Sequence, residues 1–326
     1  MKKRILSGMR PTGRLHLGHL AGALKNWVEM QEEYDCFFMV ADYHALMSEY
    51  ADPSAMKDNI IDNVADFLAC GIDPEKSVIF VQSHVPEHLE LNMILSTITP
   101  LSWLERCPTY KEQLREVEGR DLATYGFLGY PVLQAADILI YKANAVPVGD
   151  DQLPHLELTR EIARRFHFLY KKEIFPEPEA IMTKTPRLLG VDNRKMSKSY
   201  GNSVNLSDTP GEVKKKIKSM ITDPQRIKRQ DPGHPDICNV YSYYKFFFPE
   251  LAADISEKCK AAEIGCVEDK EKLADCIVEL LKPIQERRDG FLKDRKELEA
   301  ILEKGARKAQ AFARGTLDEI KKAVGI

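Results

Sequence analysis

Two stretches hold residues whose types and spacing suit chemistry on a polyphosphate. The first opens apolar at Ile5-Leu6, breaks at Ser7-Gly8 and passes through Pro11 and Gly13 before His16, Gly18 and His19. Two histidines three apart on the first turn of a helix stand on one face. The unpaired backbone N–H groups of such a turn favour an anion. Residues 1–28 contain no Asp or Glu but carry Lys2, Lys3, Arg4, Arg10, Arg14 and Lys25, so this mouth is positive. It is not of the Walker type, because Arg14-Leu15 follow Gly13 where Lys-Ser/Thr is needed. The second stretch, Arg194-Lys195-Met196-Ser197-Lys198-Ser199, lies between Gly190 and Gly201 and offers cations and hydroxyls on a glycine-flanked loop. Alone, the histidine pair could be an ordinary surface turn; the lysine-rich partner downstream weighs against that.

A third candidate is Asp137. Tyr130, Gln134, Asp137 and Tyr141 fall near helical spacing, while Val132, Leu133, Ala136 and Ile140 fit a core. A carboxylate on such an apolar helix is costly to bury without a donor. Either a neighbouring group satisfies it, or it is an acceptor for a ligand N–H or O–H.

The elements that must hold these groups follow from periodicity. Leu17, Leu20, Leu24 and Val28 make a helical stripe after the first apolar stretch, which reads as strand, turn, helix. Cys36 to Ala41 and Ser77 to Gln82 read as strands buried on both faces, with Asp42-Tyr43-His44 at the ligand-binding end of the first. A helix is expected over 53–70, with Pro53 in its first turn and Gly71 as its stop. Ala145 to Val148 is a short strand, 152–170 a strong helix, and Phe175-Pro176-Glu177-Pro178 a stiff connector. The alternation predicts an α/β fold, a Rossmann-like doubly wound parallel sheet, over 1–204. It carries a helical insertion over about 86–125 and a signature loop over 190–203. A capping box at Thr209-Pro210-Gly211-Glu212 starts a mostly α-helical domain over 205–326. Breaks are expected there at Pro232–Pro235, Pro249, Pro283 and Gly290, with a last amphipathic helix over 306–324.

The chain's 326 residues suffice for two domains, and 44% hydrophobic with 30% charged residues is ordinary for a soluble enzyme. No apolar run is long enough for a transmembrane helix, and no signal peptide is evident. Seven scattered cysteines suit reduced thiols in a cytoplasm. Net charge is −3, yet residues 182–229 carry 12 Lys/Arg against 4 Asp/Glu, a basic band that could face a phosphate backbone or merely be solvated.

On these residues the chain resembles the class I aminoacyl-tRNA synthetases. His16-Leu17-Gly18-His19 is similar to their HIGH signature, and Lys195 to Ser199 matches KMSKS letter for letter. The runs Val40 to Leu46, Tyr130 to Asp137 and Val146 to Phe166 resemble the tryptophanyl branch; the likeness covers about 4–229 and, more weakly, the helical tail. It implies activation of L-tryptophan with ATP and Mg²⁺, transfer to tRNA(Trp), a homodimer joined through the insertion, and a helical domain that holds the anticodon stem. By resemblance, His16, His19, Lys195 and Lys198 are catalytic. Met9, Arg10, Pro11, Thr12, Gly18, Gly149, Asp150, Asp151, Met196, Ser197 and Ser199 complete the ATP site, with Gly18 letting the nucleotide lie close. Leu6, Gly8, His44, Gln134, Val146 and Val148 line the tryptophan site, Asp137 accepts the indole N–H, and Tyr130 and Gln152 hold the α-amino group.

A tyrosyl-tRNA synthetase is the rival, since Tyr130, Gln134 and Asp137 form a tyrosyl-like pattern. Apolar Leu6, where similar tyrosyl enzymes place a tyrosine, favours tryptophan. Two readings from other classes are a small-molecule adenylyltransferase, which would not need 205–326, and an inactive RNA-binding relative. Some tryptophanyl enzymes also hold a [4Fe–4S] cluster through four cysteines; Cys238, Cys259 and Cys266 keep most of that spacing, but Asp269 stands fourth.

Overall fold

The computed structural model describes residues 2–108, 110–111, 122–182, 188–196 and 200–326. Its sheet has five parallel strands: β1 (Arg4–Met9), β2 (Asp35–Val40), β3 (Ser77–Val81), β4 (Ala145–Val148) and β5 (Glu179–Met182), in the order β3-β2-β1-β4-β5. The register sets Met9 beside Val40, Val40 beside Val81, and Val148 beside Met182. Order reverses at β1, so the crevice beyond the C-terminal ends of β1 and β4 is where such a sheet receives a ligand.

Side-chain alternation divides the interior into two cores. From β2, Cys36, Phe38 and Val40 enter one and Phe37 and Met39 the other. The first is covered by α1 (Leu17–His19), continuous through a π turn at Leu20–Leu24 with α2 (Lys25–Glu33), and by α4 (Met56–Ala69). Here Trp27 stacks on Phe38 at 4.5 Å and meets Phe67 edge-on. Between them in sequence, α3 (Asp42–Glu49) follows β2 directly. The second core is covered by α5 (Glu87–Ile98), α6 (Leu101–Glu105), α7 (Tyr125–Ile140) and α8 (Leu153–Tyr170). With both faces covered, near-continuous apolar strands are what a parallel sheet requires.

The remaining helices are α9 (Pro210–Lys218), α10 (Asn239–Phe247), α11 (Pro249–Lys260), α12 (Cys266–Lys293) and α13 (Arg295–Val324). They do not stand apart from the sheet. Helix α12 packs on α4, where the Arg288 guanidinium meets Asp66 at 2.8 Å and Asp62 at 2.9 Å. Helix α13 returns across β3, placing Ala306, Ala309, Ala313 and Leu317 in the second core. Its Gly305 lies against the Ile79 carbonyl, where a methyl group would overlap it.

Several expectations are corrected. β1 runs through Ser7-Gly8, since Gly8 pairs with Met39. β5 is an additional edge strand after the Phe175–Pro178 connector. Helix α4 begins at Met56 rather than in the turn of Pro53. Pro283 and Gly290 lie inside α12, because packing on both α4 and α9 supports that helix through a locally unfavourable residue. Pro131 is likewise internal to α7. Residues 109 and 112–121 of the expected insertion lie outside the described residues.

Candidate active site

The turn after β1 carries the histidine pair, and its geometry is set by local capping. The His16 N–H donates to His19 Nδ1 at 3.1 Å, and the Gly18 N–H donates to His16 Nδ1 at 3.1 Å. Both rings therefore accept at Nδ1, so each neutral imidazole bears its proton on Nε2 and donates from there. The rings lie 3.8 Å apart, tilted by 40°. A Cβ on Gly18 would sit 3.0 Å from His16 Cε1 and Nδ1 and 3.4 Å from Met196 Sδ. The missing side chain gives room to the histidine ring and to the second signature.

That second signature is tied to the first. The Leu17 N–H donates to Val204 O and the Leu206 N–H to Leu15 O, both at 2.9 Å, so residues 204–206 pair antiparallel with 15–17. Met196 is buried in the same core as Leu15 and Leu17, and Lys195 beside it is exposed. A tight turn precedes Lys195: the Gly190 N–H donates to Arg194 O at 2.8 Å, with Asn193 at φ 63°. Asn202 Nδ2 braces it by donating to Asp192 Oδ1 and Lys195 O. The base of the loop is held by α10, as Asn239 Nδ2 donates to Gly190 O and Tyr243 Oη to Leu189 O, both at 2.7 Å. Ser197, Lys198 and Ser199 lie outside the described residues.

Of the other expected ATP residues, Met9 ends β1 and is buried, and the Thr12 N–H donates to Arg10 O across the Pro11 turn. Gly149, Asp150 and Asp151 follow β4, the two aspartates exposed on a 3₁₀ turn. The two ends of β1 and β4 thus bring these groups to one crevice.

The second face of the sheet carries the residues expected to line the amino-acid site. Leu6, Val146 and Val148 share a core with Ala136 of α7. Asp137, 2% exposed, is already fully engaged: Gln82 Nε2 donates to both its oxygens at 2.8 and 2.9 Å, His44 Nε2 lies 2.7 Å away and His88 Nδ1 2.6 Å. The far nitrogen of His88 meets Tyr141 Oη at 2.8 Å. Of the two readings left open for this carboxylate, the first is seen here: groups from three other elements, the turn after β3, α3 and α5, satisfy it. Burial pushes this carboxyl up, but the bonds and charges of His44 and His88 outweigh that and hold it below the usual carboxylate range.

Tyr130 Oη lies 3.0 Å from His155 Nε2, and His155 Nδ1 lies 3.5 Å from Cys107 Sγ. Burial brings His155 down to about 4, with nearby His44 adding to the effect and Asp151 opposing it, which places these groups in one neighbourhood. Gln152 Nε2 donates to Asp151 Oδ2, Gln134 is half-buried on α7, and Gly8 is exposed on β1. Sequence reading missed Gln82, His88 and His155. Gln82 and His88 follow β3 at its ligand-binding end, a positional signal that could have found them; His155 had only its place after Gln152.

The cysteine cluster forms in part. Cys238, Cys259, Cys266 and Asp269 are electrostatic neighbours, with Arg226 Nη1 4.0 Å from the sulfurs of both Cys259 and Cys266. Burial raises the Cys238 and Cys259 thiols, which opposes the thiolates a cluster needs, and raises the Asp269 carboxyl to about 6. With three thiols, a guanidinium against two of them and a carboxyl in fourth place, the donor set does not fit a four-thiolate cluster. Among the described residues, no group of three or more His, Cys, Asp or Glu is arranged to hold a metal ion.

The family model for class I tRNA synthetases (W and Y) matches residues 1–282. A tryptophan–tRNA ligase of Thermotoga maritima is 53% identical, covering 99% of each chain. That of Aquifex aeolicus is 45% identical, covering 99% of this chain and 100% of its own. A crystal structure of the Campylobacter jejuni tryptophanyl-tRNA synthetase complexed with ADP and tryptophan superposes with a TM-score of 0.90 at 35% identity, covering 99% of this chain and 100% of that one.

Proposed function

We propose the residue roles below on the premise that this chain belongs to the class I tRNA synthetases of the tryptophan and tyrosine group. Within that group it is an aminoacyl-tRNA ligase of the tryptophan type. The tryptophan carboxylate attacks the α-phosphate of ATP, giving tryptophanyl-adenylate and pyrophosphate. A hydroxyl at the 3′ end of tRNA(Trp) then takes the acyl group and releases AMP.

The observation that carries the assignment is the junction of the two signatures, with Met196 against Gly18 and residues 204–206 paired to 15–17. Attack at the α-phosphate needs positioning and charge neutralisation more than covalent help. His16 and His19, fixed as Nε2 donors, serve the phosphates; Lys195 and Lys198 meet the charge that moves onto pyrophosphate. Met9 to Thr12 and Gly149 to Asp151 border the nucleotide. Mg²⁺ enters with the phosphates and supplies further charge neutralisation.

At the amino-acid end, the indole N–H takes the place of His44 on Asp137. His44 is the donor to give way, because its side chain is 12% exposed whereas His88 and Gln82 are fully buried. Leu6, Gly8, Gln134, Val146 and Val148 border the indole, and Tyr130 and Gln152 hold the α-ammonium group. No step is assigned to an iron–sulfur cluster.

Residues 205–326, which include most of the basic band beyond the signature loop, are proposed to hold tRNA. Exposed Leu46, Tyr50 and Leu89 line a shallow groove of about 350 Å³ between α3, α5 and α7; with Met93 and Tyr125, also exposed, they support a homodimer. No helix among the described residues is long and apolar enough to cross a membrane, and the seven free cysteines fit a reducing cytoplasm.

The test is ATP–pyrophosphate exchange with tryptophan and with tyrosine, on the wild type and on Asp137→Ala. Exchange with tryptophan alone, reduced by about 10³-fold or more in the variant, is expected. Exchange with tyrosine would overturn the specificity.

A further inference from the structure

We infer that His155 is a positioning residue that turns the Tyr130 hydroxyl into an acceptor for the substrate's α-ammonium group. The inference rests on the reading above that Tyr130 holds that group.

His155 stands on the first turn of α8, 2% exposed, between two partners: Tyr130 Oη 3.0 Å from Nε2 and Cys107 Sγ 3.5 Å from Nδ1. Its ring meets that of Tyr130 at 5.2 Å and 71°, and Thr159 Oγ1 donates to its backbone carbonyl. A neutral imidazole has one nitrogen that donates and one that accepts. Burial keeps His155 neutral near pH 7.

An ammonium group brings donors only, so the Tyr130 oxygen must offer it a lone pair. Deprotonating the phenol does not achieve this, because burial raises Tyr130 far above its usual range. The phenol must keep its proton and point it elsewhere. The Cys107 sulfur also stands beside this hydroxyl, but Nε2 of His155, 3.0 Å away, is the stronger acceptor, and with Nε2 accepting, the ring proton sits on Nδ1 facing the Cys107 sulfur. Tyr130 then presents lone pairs to the ligand. Without the imidazole, the hydroxyl is free to turn its proton toward the ammonium group, which costs the binding of that group and not the binding of the indole or of ATP.

Indole-3-propionate keeps the ring and carboxylate of tryptophan but lacks the α-amino group. Its Ki as a competitor in ATP–pyrophosphate exchange is compared with the KM for tryptophan in His155→Phe, His155→Gln, Tyr130→Phe and Cys107→Ala. In His155→Phe the tryptophan KM rises by about tenfold while the indole-3-propionate Ki and the ATP KM hold. His155→Gln, which offers an acceptor amide, recovers part of the loss. A parallel rise of both constants in His155→Phe would reduce His155 to packing and overturn the inference. If Tyr130→Phe leaves the ratio of the two constants unchanged, the α-ammonium reading itself fails. If Tyr130→Phe collapses the ratio and His155→Phe does not, only the His155 inference fails. Should His155→Phe not fold, Cys107→Ala is read the same way: a several-fold smaller ratio supports the inference, and an unchanged ratio overturns it.

Discussion

The proposed phosphate end and the proposed amino-acid end of the site are built on opposite plans. At the phosphate end, the working groups are set by short-range structure. His16 and His19 cap their own helix, and Lys195 follows a tight turn, exposed, on a loop braced by Asn202. At the amino-acid end, Asp137 is held by Gln82 after β3, His44 on α3 and His88 on α5, all brought from distant parts of the chain. The contrast suits the roles proposed for the two ends. Charge moves during the reaction at the phosphates, so mobile cations are useful there. Side-chain choice is made once, on binding, and a preformed buried acceptor makes it at the least cost in reorganisation.

The comparison can be broken at either end. Lys195→Ala should lower kcat for ATP–pyrophosphate exchange by about 10²-fold while leaving the tryptophan KM within about twofold. An equal effect on tryptophan binding would show that the two ends are not separable. Asn239→Ala removes the buried donor to Gly190 O at the base of the signature loop. A loss of about 1–2 kcal/mol is expected in stability, with a several-fold rise in the ATP KM and none in that for tryptophan; steady-state kinetics and urea titration check both.

Acid–base behaviour sharpens the contrast between a buried carboxyl with donors on both oxygens and one with an oxygen left over. Asp269 Oδ1 is buried without a partner and its carboxyl is raised to about 6. Its folded pKa lies above that of the unfolded chain, so the folded state binds the extra proton and loses stability as pH rises from about 4 to 6. Asp269→Asn should therefore raise Tm at pH 7 and do little at pH 4, an effect of about 1–2 kcal/mol; equal shifts at both pH values would contradict this. Asp137, held below its usual range by its donors, has the opposite sign: its contribution is present at neutral pH and lost as the medium is acidified below about 4. The smallest effect is expected on the surface. Lys321→Ala breaks a half-exposed pair with Glu90 and should cost under about 1 kcal/mol, although α13 as a whole covers β3.

What the sequence determined by itself were features with a local cause. Continuous apolar runs marked β2 and β3, the leucine stripe after His16 marked a helix, and the capping box at Thr209 fixed the start of α9. The histidine turn was legible for the same reason, because two imidazoles and a glycine within four residues constrain each other. Tertiary structure decided the rest. Pro283 and Gly290 are unfavourable in a helix, yet α12 continues through both because its packing on α4 and α9 outweighs a local penalty. Asp137 stood out in the sequence as a buried charge in need of a donor, but its donors lie 93, 55 and 49 residues away. No periodicity encodes which of many polar residues a fold will bring to one carboxylate; only the sheet order β3-β2-β1-β4-β5, with its helices closed over it, selects them.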